Sequence, residues 1–352
     1  MGTHFLADAR RPGITLHRDA QERSPAQSPD PHPTGTLADP CADLHRVICS
    51  KTGETRDPTG VVRRDLDGEL KALRIYEEII RENPSWSSDQ VDEALVQRIY
   101  TPQRVQRVRS AFEWVRASAI KFIESQTEAT FTPHEKKELK ARIRHLALQL
   151  PLPASLYADE PDLFTKTGVF YERTLAGQTR IRVGGAYLFT ATSWFNLLFT
   201  LAHEISHSID PCEMRAQEVS IPAYDRVTRC FVRTGLVAVR ANPHECSDND
   251  QTAETFADWL GVQLMSDAFQ KYSTEFDARQ LRHAITNSVR DLCESDEAFF
   301  EEDLSLHPSP KIRIDRIFGQ NPKVREILGC QTPQPQPTAD PTAAYCRFDK
   351  EN

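Results

Sequence analysis

His203 and His207 stand four residues apart in the stretch LAHEISHSID, residues 201–210, with Glu204 directly after the first histidine. On a helix this spacing puts two side chains on one face, and two imidazoles so placed can share one tetrahedral Zn2+. Glu204 falls beside that face, so its carboxylate reaches a water near the metal rather than the metal itself. That is where a general base is needed. A catalytic zinc takes a third protein ligand and keeps one position open. Glu254, in AETFADWLG, is the candidate. Asp258 lies one helical turn on and Gly261 nearly one more, so the three form a stripe. Glu254 is expected to bind metal, Asp258 to accept an N–H from a ligand histidine, His203, and Gly261 to let this helix approach its neighbour. The plain alternative is two histidines on a half-buried face and an acidic stripe in solvent. Phe256, Trp259 and Leu260 beside the stripe point to a packed helix, which raises the cost of idle carboxylates.

The elements that must carry these residues are legible in outline. The chain has 352 residues, enough for one large domain or two ordinary ones, with 39% apolar and 27% charged residues. Residues 1–40 contain SPAQSPDPHPTG and read as a disordered, Pro-rich leader. From LDGELKALRIYEEIIREN to the PLP at 151–153 the periodicity predicts helices, broken near Pro102, with Leu66, Leu70, Leu73, Tyr76 and Ile80 on one side. TPHEKKELKARIRHLALQL is expected to be the last helix of that run. GVFYERTLAGQTRIRVGGAYLF then predicts a β-hairpin, and helical spacing returns through SWFNLLFTLAHEISHSI and TAETFADWLGVQLM. The expected class is α+β, mainly α-helical. The parts are a leader at 1–40, an N-terminal segment at 41–63, a helical lobe at 64–164 and a catalytic domain at 165–352.

Composition narrows the function classes. A net charge of −8 and a pI of about 5.8 leave no electrostatic footprint for nucleic acid. No apolar run reaches transmembrane length. Eight cysteines suit an oxidising compartment, so disulfides are expected, with 105 pairings open. Reduced buried thiols or zinc thiolates are the alternative, although no CxxC pair favours the latter. MGTHFLADARRPGITLHRD lacks the apolar core of a signal peptide. The expectation is a secreted, periplasmic or extracellular protein whose sequence starts after a removed signal.

HEISHSID followed by ETFAD resembles the neprilysin and endothelin-converting-enzyme family of zinc peptidases. The likeness continues in order along the chain. DPCADLHRVIC resembles the family's opening cysteine pair, with Leu44 and His45 where the family has aromatics. GVFY and IRVGGAYL resemble its substrate-binding edge strand and the strand after it. LHPSPKIRI resembles its segment with a catalytic histidine and, six residues on, an arginine. CRF resembles its terminal cysteine motif. The resemblance implies a thermolysin-like zinc peptidase catalytic domain with one Zn2+ on His203, His207 and Glu254. It implies Glu204 as base and then acid, Asp258 as orienting partner of a ligand histidine, His307 as oxyanion stabiliser, and Arg313 as holder of a substrate carbonyl. Asp210 matches the family's Asp after the histidine pair, outside the ligand shell. The implied disulfides are Cys41–Cys330, Cys49–Cys293 and Cys230–Cys346; by arithmetic alone, Cys212 and Cys246 remain to pair with each other.

The chain departs from that pattern in three places. It is about half the family's usual length, so the helical lobe that roofs the cleft is reduced and longer substrates are expected to enter. Gly168 and Val169 stand where the family begins its edge strand with Asn-Ala, removing one side-chain contact to the substrate backbone. A proline follows His307. The expected function is a zinc metalloendopeptidase acting on peptides or small proteins. The principal rival is a peptidase-like protein that grips a partner through the edge strand at 168–171 with little catalysis. Another metallohydrolase with the same ligand geometry, or a structural disulfide-rich protein, are further alternatives.

Overall fold

Ser87, Thr101, Thr132, Ser193 and Asp277 each accept a hydrogen bond from the backbone N–H three residues on, and each directly precedes a helix. A short polar side chain there satisfies one of the N–H groups a helix start leaves open. The computed structural model describes residues 39–49, 63–151, 163–191, 193–237, 251–272, 274–294, 307–330 and 345–348, the side chains of 63–66 and 294 excepted. Its helices are α1 (Leu44–Cys49), α2 (Arg63–Glu82), α3 (Ser88–Ile99), α4 (Pro102–Ser125), α5 (Pro133–His145), α6 (Tyr187–Thr190), α7 (Trp194–His207), α8 (Pro211–Ala216), α9 (Pro222–Arg233), α10 (Thr252–Tyr272), α11 (Ala278–Ser288) and α12 (Pro322–Leu328). A π-helical stretch covers Ile312–Phe318, and 3-10 turns cover Leu163–Thr165 and Arg290–Glu294. The leader expected at 1–40 lies, but for residues 39 and 40, outside the described residues.

Three short strands form one sheet, β1 (Ala147–Gln149), β2 (Val169–Arg173) and β3 (Thr179–Val183), in the order β1-β3-β2. The expected hairpin is β2 and β3, antiparallel with Val169 opposite Val183 and Tyr171 opposite Ile181. Gly177 takes the positive φ of 77° that its turn requires. β2 lies at one edge of this sheet and β1 at the other. The main chain is thus mainly α-helical with a small sheet, as the sequence indicates.

One sequence expectation is corrected. The last helix of the N-terminal run ends at His145, and Ala147–Gln149 pairs parallel with β3 instead of continuing it. Leu148 Cα lies opposite Ile181, so the sheet's need for a partner outweighs helical periodicity there. On α2 the apolar stripe is buried only in part: Leu73 and Tyr76 pack against the apolar residues of the neighbouring elements. Leu70 and Ile80 are exposed, at 37% and 40%, whereas Ala72 and Ile79 are fully buried. A helix has two apolar stripes to choose from here, and small Ala72 and Gly68 allow the closer approach. A Cβ on Gly68 would sit 2.7 Å from a methyl of Thr190.

The buried apolar residues fall into two clusters. α2, α3 and the turn at Leu163–Thr165 make the smaller one, through Ala72, Ile79, Leu95, Ile99 and Leu163. The larger runs through α4, α5, α7, α9, α10 and α11, with Phe112, Leu198, Phe231, Phe256 and Phe318 among its buried side chains. α7 packs most extensively against α10. Among the described residues three disulfides close the frame: Cys41–Cys330, Cys49–Cys293 and Cys230–Cys346. The first two tie the segment around α1 to the body, and the third anchors residues 345–348. The fourth expected pair includes Cys246, which lies outside the described residues. No helix among the described residues is long and apolar enough to cross a membrane.

Cys230–Cys346 joins residues 116 apart in sequence. Loop-closure entropy of that size predicts that removing both cysteines lowers unfolding free energy by about 2–5 kcal/mol. Urea denaturation of the Cys230→Ala/Cys346→Ala protein beside the wild type checks this.

Candidate metal centre

His203 and His207 lie near the C-terminal end of α7, and Glu254 lies in the first turn of α10. The two helices bring three atoms to one point. His203 Nε2 is 3.2 Å from His207 Nε2, and Glu254 Oε2 is 3.0 Å from the first and 3.6 Å from the second. A tetrahedral zinc with arms of about 2.0–2.1 Å would set its ligand atoms about 3.3 Å apart, so these spacings fit it. The other nitrogen of each ring is already engaged. His203 Nδ1 lies 2.9 Å from Asp258 Oδ1, and His207 Nδ1 lies 3.0 Å from Asp210 Oδ2. A carboxylate accepts the Nδ1–H, which leaves the Nε2 lone pair for a metal. Glu254 Oε2 is buried without a hydrogen bond of its own. Three lone-pair atoms thus converge where a cation would relieve them. His203, His207 and Glu254 form a group that can hold a metal ion.

In the metal-free chain that cation is a proton. Burial lowers the pKa of His203, but the carboxylates of Asp258 and Glu254 outweigh it and lift the ring to about 9. Burial likewise works against charge on His207, and Asp210 and Glu254 raise it well above an ordinary histidine. Burial raises Glu254, yet the facing imidazoles hold it well below the usual carboxylate range.

The supporting residues come from several elements. Asp210 serves two neighbours at once: Oδ2 faces His207 while Oδ1 accepts the Glu213 N–H at 2.7 Å and caps α8. Asp258 is clamped from behind by Arg313, whose Nε and Nη2 donate to Oδ2 at 2.6 Å and Oδ1 at 2.8 Å. Burial opposes charge on Asp258, but Arg313 and His203 keep it ionised far below its usual range. Gly261 is where α10 crosses α7. A Cβ there would lie 3.2 Å from the His203 backbone nitrogen and 3.4 Å from its Cα.

Glu204 points elsewhere than the ligand cluster. Its Oε2 accepts the main-chain N–H of Tyr171, on β2, at 2.7 Å. Burial pushes its pKa up, against the pull of the two histidines. Tyr171 was not singled out by the sequence, because its contribution is a backbone N–H; its signal is the phase of the edge strand. Gly168, Phe170 and Glu172 face β3, so the main-chain groups of Val169 and Tyr171 turn the other way. His307 Nε2 lies 3.0 Å from Glu254 Oε2, with its side chain 41% exposed at the mouth of the site. Gly168, Val169, His203, Glu204, His307 and Arg313 all line one cavity of about 290 Å³. The residues singled out in the sequence are therefore brought together from four separate stretches of chain. Asn196 and Asp291, which also line the cavity, were missed. Asn196 stands on the ligand face of α7, seven residues before His203, and that spacing was the available signal.

No model of a known protein family matches the chain, and no curated protein matches it.

Two measurements test the centre. His203 and His207 both titrate above neutrality in the metal-free chain, so at pH 7 each holds a proton where a metal would bind, whereas Glu254 holds none. Metal uptake at pH 7 should release about two protons, and fewer once pH exceeds the folded pKa values. Calorimetric titration in buffers of differing ionisation heat reads that number. Asp210→Asn keeps a capping oxygen but removes the anionic partner of His207. Its metal affinity should fall about 10–100-fold with little change in melting temperature, while Asp210→Ala should lose the cap as well, about 1 kcal/mol of stability.

Proposed function

We propose that this chain is a secreted zinc metalloendopeptidase resembling the neprilysin family, with residues 165–352 forming a thermolysin-like catalytic domain. The observation that carries the reading is the convergence of His203, His207 and Glu254 with Glu204 set to one side of them. Two imidazoles and a carboxylate make a donor set that suits zinc. The three disulfides and the absence, among the described residues, of a helix able to cross a membrane are compatible with export.

A Zn2+ held there supplies Lewis acidity and lowers the pKa of a water to about 7. The residues of the chain do the rest. Glu204 takes a proton from the attacking water and passes it to the leaving amine. Burial raises its proton affinity, which suits both halves of that task. The Tyr171 N–H fixes one of its oxygens and leaves the group aimed by the main chain of β2. His307, exposed at the mouth, donates to the oxygen on which charge develops. Asp258 and Asp210 orient the ligand rings, and Arg313 holds Asp258 in place beside the substrate cavity. A peptide lies along the open edge of β2, where Val169 presents its main-chain groups and Tyr171 its carbonyl, the Tyr171 N–H being held by Glu204. Gly168 adds no side-chain contact, so register along the edge depends on the backbone and on the cavity. That missing contact is what favours the second reading, a binding protein that grips a strand and cuts slowly.

Zinc-loaded wild type should cleave internal bonds in a mixed peptide library and lose activity to chelators. Glu204→Gln should retain zinc and lose about 10²–10⁴-fold in rate. Full activity in Glu204→Gln would overturn the assignment of the base. Peptide binding with no cleavage by the zinc-loaded wild type would favour the binding protein.

A further inference from the structure

Resting on the metal site and not on peptide cleavage, we propose that Asp315 is a positioning residue for the centre. Through it helix α1, held by two disulfides that a dithiol can open, braces the arginine that clamps Asp258. Arg313 and Asp315 stand two residues apart on the π-helical stretch Ile312–Phe318. Arg313 grips Asp258 by two bonds, and Asp258 holds the outer nitrogen of His203. Asp315 serves the other side of the stretch. Its Oδ1 accepts the His45 N–H of α1 at 2.6 Å, and its Oδ2 accepts from Lys311 Nζ at 2.7 Å.

The bond to His45 supports both partners. A helix start leaves its first N–H groups open. Asp43 Oδ1 satisfies the one on Arg46, and Asp315 reaches across 270 residues of sequence to satisfy the one on His45. Leu44 and Ile48 are buried in the larger core, and α1 packs against both the π-helical stretch and the turn at Arg290–Glu294. Lys311 also lies 3.7 Å from Asp43, but both side chains are exposed and such a pair adds little. The Asp315 side chain is 13% exposed, so its bonds are better shielded from water.

Six residues are too few to stay helical alone. Two covalent ties hold α1 in place: Cys41–Cys330 ahead of it and Cys49–Cys293 at its last residue. Their four cysteines are half-buried, whereas Cys230 and Cys346 are 4% and 1% exposed. Thiolate attack needs access to a sulfur, so a dithiol opens these two ties first. Each bond takes two electrons and two protons from the dithiol, becomes two thiols, and leaves the dithiol as a cyclic disulfide. α1 then comes away, Asp315 loses the His45 N–H, and the stretch carrying Arg313 loses its cover. Asp258 is a fully buried acid, and it holds His203 firmly only while that guanidinium is held in turn.

Zinc affinity, read by competition with a chromophoric chelator, tests the brace. In the fully oxidised protein, Asp315→Ala should weaken zinc binding about tenfold, the lower end of what an outer partner of a ligand contributes. The visible bands of the cobalt(II)-loaded variant should shift as the His203 ring loses its fixed plane. Wild-type affinity and unshifted bands in Asp315→Ala would overturn the proposal. Cys41→Ala/Cys49→Ala/Cys293→Ala/Cys330→Ala should weaken zinc at least as much with Cys230–Cys346 still closed; unchanged affinity would overturn the brace. Adding Asp315→Ala to that protein should weaken zinc less than about threefold further, since both changes act through one path. A full second tenfold loss would mean separate actions and overturn the relay. If the four-cysteine variant does not fold, Asp315→Ala decides alone. In wild type titrated with dithiothreitol, alkylation should appear at these four cysteines before Cys230 and Cys346; the reverse order would overturn the redox sensitivity. A protein that holds zinc and cuts no peptide fails the peptidase reading alone. A wild type that takes up no zinc overturns the metal site and the brace together.

Discussion

Two imidazole nitrogens and one carboxylate oxygen are forced together in a buried place with their lone pairs facing one another. Beyond the nearby His307 nitrogen, positive charge is what relieves that crowding. Protons do it at the expense of the ligand set, and a divalent ion does it by using that set. The rest of the site is arranged to keep the crowding in place. Asp258 and Asp210 hold the outer nitrogens, Arg313 holds Asp258, and Gly261 gives the two helices the closeness that a side chain there would prevent.

This arrangement spreads the cost of one buried cluster over distant parts of the sequence. Each buried acid has a cation or an N–H close by, as buried charge demands. Arg313 arrives on a π-helical stretch, where the wider turn is frequently a mark of functional sites. The sheet is small, yet it fixes the one main-chain N–H that steadies Glu204. A short strand at a sheet edge thus acts on a carboxylate 33 residues away in sequence.

How much of this was legible depended on whether a residue acts through its side chain and through a local pattern. His203, His207, Glu254 and Asp258 announce themselves by helical spacing, and the fold brings their side chains together. The helix caps were equally local. What stayed hidden was set by tertiary context. The buried side of α2 turned on Ala72 and Gly68 rather than on the larger Leu70 and Ile80. Ala147–Gln149 became a strand because β3 offered it an edge. Tyr171 works through its backbone, and Asn196 matters because its Nδ2 is turned towards Asp291, nearly a hundred residues on. No short motif encodes any of these.

The packing behind α10 has a consequence for timing. Trp259 Nε1 donates to the Cys346 carbonyl, and the Phe348 ring meets Trp259 and Phe131 at 5.0 Å and 4.9 Å. Cys346 is itself bound to Cys230. A nascent chain emerging from the ribosome holds every metal ligand before it holds these residues. Until they arrive and the sulfurs are oxidised, the helix bearing Glu254 lacks its backing. Assembly of the centre therefore waits on residues made after all three of its ligands and on oxidation of the cysteine pair that anchors them.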